Sequence, residues 1–84
     1  MNKKHQKTLQ AVFTNPVSGT ISWTDIESLL MSAGARMREG SGSRVRFIHG
    51  TQKATFHRPH PNKEAKEYQV KDVREFLEKI GVKP

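Results

Sequence analysis

The chain contains no cysteine, so disulfides and thiolate metal sites are excluded. No apolar run approaches the roughly 20 residues that a membrane-spanning helix needs. The opening Met1-Asn2-Lys3-Lys4-His5 leads into a polar stretch, not into the apolar segment of a secretory signal. These absences point to a cytoplasmic protein with no membrane partner. There is no phosphate-binding P-loop and no dinucleotide fingerprint. Paired carboxylates are missing from the glycine-rich region, and Glu64 and Glu67 fall in a lysine-rich loop. His57-x-x-His60 has no cysteine and no third ligand nearby, whereas zinc takes three or four ligands. Neither a metal nor a cofactor is expected.

Acidic residues are also scarce. Eight Asp and Glu stand against 15 Lys and Arg, for a net charge of +7 and an isoelectric point near 10.2. Such a surface attracts polyanions: nucleic acid, an acidic protein or an anionic membrane. In so short and basic a chain, nucleic acid ranks first. The length of 84 residues allows one domain with a modest core. With 33% hydrophobic residues and a mean hydropathy of -0.75, the chain is polar overall, but its apolar residues cluster as a globular fold requires.

Leu9, Val12 and Phe13 recur at helical spacing, so His5 to Phe13 reads as a short amphipathic helix, broken by Asn15-Pro16-Val17-Ser18-Gly19. Residues 1–19 therefore read as a helical extension docked on a main domain of residues 20–84. Ser22 or Thr24 is a candidate N-cap, with Asp25 or Glu27 completing a capping box. Trp23, Ile26, Leu29, Leu30 and Ala33 form one apolar stripe, and Gly34 suits a left-handed helix terminus. Three short strands follow with period-2 alternation: Ala35 to Glu39, Arg44 to His49 and Gln52 to Arg58. Their connections are too short for a crossover, so the meander is antiparallel. Pro59 and Pro61 end the third strand. After a polar loop, Val70, Val73, Phe76, Leu77 and Ile80 line a last helix that stops at Gly81. The predicted fold is α+β: a three-stranded antiparallel sheet covered on one face by two helices, plus the short N-terminal helix. This α-β-β-β-α order is that of double-stranded-RNA-binding domains.

Gly40-Ser41-Gly42-Ser43 with Arg44 and Arg46 can offer backbone N–H groups, hydroxyls and guanidinium groups to a phosphate. The alternative is a plain hairpin loop beside two solvated arginines. If Arg58 lines up with Arg44 and Arg46, the three make an arginine patch on the uncovered sheet face. Metal-free RNA cleavage needs a base for the 2′-OH proton and an acid for the leaving oxygen. His57 and His60 are candidates, because imidazole titrates near neutrality; the competing reading is surface histidine without a task. Trp23 and Phe76 fit the helix stripes and belong to the core.

The segment Gly42-Ser43-Arg44-Val45-Arg46-Phe47, followed by Thr55-Phe56-His57-Arg58-Pro59-His60-Pro61 and the terminal helix, resembles the HicA toxins over about Ser22 to Val82. The resemblance implies a double-stranded-RNA-binding-like fold. It also implies a metal-independent mRNA interferase that arrests translation, and a HicB antitoxin that neutralises it. In the family a histidine directly follows the Gly-Ser pair, and here that position is Arg44. Arginine keeps its proton and cannot act as a general base, though it can bind phosphate. Three functions compete: a ribonuclease toxin, with Gly42, Ser43, Arg44, Arg46 and Arg58 holding phosphate and His57 or His60 moving protons; a silent RNA-binding module; and a domain that docks an acidic protein.

Overall fold

Trp23, Ile26, Leu29 and Leu30 fall on one stripe of a ten-residue helix, and all four are buried. This is α2 (Trp23–Ser32) in a computed structural model that describes residues 1–84. The complete order is α1 (Lys3–Val12), α2, β1 (Arg36–Glu39), β2 (Arg44–His49), β3 (Gln52–His57) and α3 (Glu67–Lys79). The expected α+β fold with a three-stranded antiparallel sheet is therefore present.

Local chemistry sets the helix boundaries. Asn2 caps α1 by accepting the His5 backbone N–H at 2.8 Å. Ser22 occupies the N-cap of α2, but its hydroxyl pairs with that of Thr24 at 2.9 Å, so the expected side-chain cap does not form. At the other end Gly34 has φ +101°, which lets the Ala35 N–H reach back to the Leu30 carbonyl at 3.0 Å. In α3, Gln69 is the structural residue of the first turn. Its side chain accepts from the Lys66 N–H at 3.0 Å and closes the helix start.

The sheet order is β1-β2-β3, both pairs antiparallel. Register places Glu39, Val45 and Phe56 in one transverse row and Met37, Phe47 and Ala54 in the next. This parity faces the helices: Val45, Phe47 and Phe56 are buried together with the stripes of α2 and α3 in one core cluster. Full burial of a side chain the size of Phe47 contributes about 1.5–3 kcal/mol. The Trp23 ring tilts against Phe56 at 5.2 Å between centroids.

The first helix joins the same core through Leu9 and Val12. Arg74 of α3 fastens its end: Nε and Nη2 donate to the Val12 carbonyl at 3.1 and 2.9 Å, and Nη2 also reaches the Thr14 carbonyl at 3.0 Å. These carbonyls have no partner within the helix, so the arginine satisfies what the helix end leaves open. The polar loop after β3 is more ordered than its composition suggests. The Trp23 N–H donates to the Lys63 carbonyl and the Ala65 N–H to the Ile21 carbonyl, each at 2.8 Å, and Ala65 is buried.

Candidate nucleic-acid interface

Strand alternation sorts the charges of the sheet by face. The parity opposite the core carries Arg36 and Arg38 on β1, Arg44, Arg46 and Ile48 on β2, and Lys53, Thr55 and His57 on β3. No helix covers this face, and it holds no carboxylate. Arg38 lies directly across from Arg46, which in turn faces Thr55. Directly opposed like charges destabilise a sheet, so the protein carries a cost here that packing does not explain. Arg38, Gly40, Arg44 and Arg46 border a recess of about 230 Å³, with Glu39, whose carboxylate is paired with Arg58, at its rim.

Arg44 is registered opposite His57, so the first residue of β2 and the last of β3 share one row on the open face. Two bonds hold that row in place. The Arg58 N–H donates to the Ser43 carbonyl at 2.8 Å. Gln69 Nε2 donates to the His57 carbonyl at 2.7 Å from an amide that is itself buried. Gly42 has φ +64°, a backbone that favours glycine, at the bend that turns the chain from β1 into β2. Ser43 is exposed beside it.

The structure does not bring Arg58 to this face. Arg58 continues the parity of Phe56 and turns beneath the sheet. There its Nε donates to Glu27 Oε2 at 2.8 Å and its Nη1 to Glu39 Oε1 at 2.5 Å. The two carboxylates hold the guanidinium further above its already high range, Glu27 first. An arginine so paired fastens α2, β1 and the end of β3 to one another. Arg36, Arg38 and Lys53 take its place on the open face. No motif marks these three, but the alternation of their strands does.

The two candidate histidines lie at different places. The exposed His57 stands on the sheet beside Arg44. His60 lies in the loop beyond, where it borders a different cavity with Pro59 and Tyr68. Neither imidazole hydrogen-bonds to a carboxylate or to the other. No three His, Asp or Glu side chains converge as a metal site would need, and no helix is long and apolar enough to cross a membrane.

The assembled features are an α-β-β-β-α frame, an arginine-lined sheet face and a Gly-Ser turn leading into it. No curated protein and no solved structure matches the chain. A family model does: the HicA toxin of bacterial toxin-antitoxin matches residues 23–82, from the start of α2 to just beyond α3. The chain thus belongs to the HicA toxin family.

Proposed function

We propose that this toxin acts on RNA through the open face of its sheet. The observation that carries the reading is the charge arrangement: Arg36, Arg38, Arg44, Arg46 and Lys53 share the uncovered parity of the sheet, no strand position of that parity is acidic, and Glu39 at the rim is paired with Arg58. Phosphodiesters supply the counter-charge that this surface lacks, and guanidinium groups bind them in a fork geometry. Gly42 and Ser43 sit where the backbone can approach such a phosphate. Arg58 has no part in this interaction.

On this reading His57 is the general base for cleavage. It takes the proton of a ribose 2′-OH as that oxygen attacks the adjacent phosphorus. The bond from phosphorus to the 5′ oxygen breaks, and that oxygen leaves with a proton from water. Arg44, across the strand pair from His57, stabilises the charge that builds on the phosphoryl oxygens. The residues provide no metal cluster, and none is invoked. The reaction degrades mRNA in the cytoplasm and inhibits translation. Family membership brings an antitoxin partner, and we propose a HicB-like protein that covers the cationic face.

Two observations favour a second reading, in which RNA is bound but left intact. The position after the Gly-Ser pair is Arg44, and the His57 imidazole has no carboxylate to orient it. Incubation of the purified protein with labelled RNA in excess chelator separates the two. Cleavage by the wild type that is abolished in His57→Ala supports the nuclease. RNA that binds but stays intact supports the silent module. Failure to bind any RNA at low salt would overturn both.

A further inference from the structure

Every aromatic side chain but one is accounted for by packing. Trp23, Phe47, Phe56 and Phe76 are buried, and Phe13 lies beneath the Arg74 guanidinium at 5.8 Å. Tyr68 is 58% exposed. It stands in the first turn of α3, next to the Gln69 whose amide holds the His57 carbonyl at 2.7 Å. The backbone that carries Tyr68 is therefore held close to the end of β3, where the cationic face finishes.

Tyr68 and His60 border one cavity of about 450 Å³, with Pro59, Asn62, Lys66 and the acidic residues Glu64 and Glu67 around it. The site offers two flat rings, a rigid proline wall, an amide with both donor and acceptor, and an ammonium group between two carboxylates, a balance that suits a neutral base better than a phosphate. The sheet face has the opposite character: rich in charge, with no phenyl, phenol or indole ring. Charge alone holds a phosphate backbone, whereas a base is held by stacking on an aromatic ring. From His57 to His60 the chain runs three residues, at most about 11 Å, so the cavity lies within reach of a strand held at Arg44 and His57.

We infer that the cavity between His60 and Tyr68 is a subsite for one unpaired nucleobase of single-stranded RNA. The inference rests on the RNA reading above and adds to it a base-binding site and a strandedness. A base inside a duplex is stacked on both faces and cannot enter, so the substrate is a strand whose bases can be splayed out. Asn62, with an amide donor and acceptor, reads the edge of the base, while Lys66 offsets the charge of Glu64 and Glu67 beside it.

Tyr68 is the only tyrosine in the chain, so its ring resonances are unambiguous. The full-length protein is titrated with three probes: a short single-stranded 2′-O-methyl oligoadenylate, which resists cleavage; inorganic polyphosphate, which has charge and no bases; and an RNA duplex. The Tyr68 ring signals are expected to move upfield with the oligoadenylate alone, while the oligoadenylate and polyphosphate both move the Nε signals of Arg44 and Arg46. Tyr68→Ala should weaken oligoadenylate binding roughly tenfold. Tyr68→Phe should keep it, and polyphosphate affinity should not change in either variant. The subsite is overturned if oligoadenylate moves the arginine signals but not Tyr68, if Tyr68→Ala binds as tightly as wild type, or if duplex moves Tyr68 equally. Arginine signals that respond to none of the probes would reject the RNA reading itself and the subsite with it.

Discussion

Arg58 Nε and Glu27 Oε2 meet at 2.8 Å beneath the sheet, on the same oxygen that accepts the Trp23 indole N–H at 2.5 Å. One carboxylate thereby joins the chain leaving β3 to the first two turns of α2. The Glu27 side chain is 12% exposed and that of Arg58 32%, so the pair is partly screened. Arg58→Ala leaves Glu27 with the indole alone and frees Glu39. We expect a decrease of about 1–2 kcal/mol in stability, below the cost of breaking a fully buried pair. Urea unfolding of the variant checks this. Glu27→Gln should cost less, because an amide oxygen still accepts from Trp23. A variant Arg58→Ala as stable as wild type would show that the bridge is ornamental.

The position of Arg58 shows what the sequence could and could not reveal. Alternation through Phe56, His57 and Arg58 already turns the arginine toward the core side, so its separation from Arg44 and Arg46 was legible. Charge and proximity to the motif suggested the opposite, and parity overrides them. The same alternation exposes Arg36 and Arg38, which no motif contains. The Glu27 partner was not legible, since 31 residues separate it from Arg58 and only the packed fold joins them. Arg74 reaching the end of α1 is hidden in the same way. Ala65 stayed hidden because its neighbours are Lys and Glu, whose composition reads as a solvated loop. The helices and strands, by contrast, follow directly from apolar periodicity.

Gln69 gives a second prediction about stability. Its amide is buried, accepts from the Lys66 N–H at 3.0 Å and donates to the His57 carbonyl at 2.7 Å. Gln69→Leu keeps much of the volume but strands both backbone groups, at a cost of about 1–3 kcal/mol. Gln69→Glu keeps the acceptor and loses the donor when ionised, so it should restore only the Lys66 bond. Hydrogen exchange in the first turn of α3 would show whether Lys66 and its neighbours lose protection in Gln69→Leu but keep it in Gln69→Glu.

The N-terminal helix should prove integral to stability although it lies outside the family match. Leu9 is 5% exposed and Val12 fully buried. Leu9→Ala removes buried methyl groups and opens a cavity between α1 and its neighbours, destabilising the fold by about 2–3 kcal/mol. Lys7→Ala, on the exposed side of the same helix, should change stability by less than about 0.5 kcal/mol. Thermal or urea unfolding of the two variants compares them directly. Equal stability for both would mean that α1 is loosely attached.

The arginine face makes opposite predictions for stability and binding. Arg38 and Arg46 are directly opposed on neighbouring strands, and both are exposed. Removing one relieves a like-charge repulsion, so Arg38→Ala or Arg46→Ala should leave stability unchanged or raise it by a few tenths of a kcal/mol. Binding of single-stranded RNA should weaken in each, and the dependence of log affinity on log salt should flatten by about 0.7 for each phosphate that the variant no longer neutralises. Arg44→Ala should behave likewise. Arg58→Ala should leave the slope as in the wild type, because its charge is already met by Glu27 and Glu39. Affinity measured across a salt series for the four variants tests the sheet face as a surface. If Arg58→Ala flattens the slope while Arg38→Ala and Arg46→Ala do not, the polyanion lies on the opposite side of the sheet.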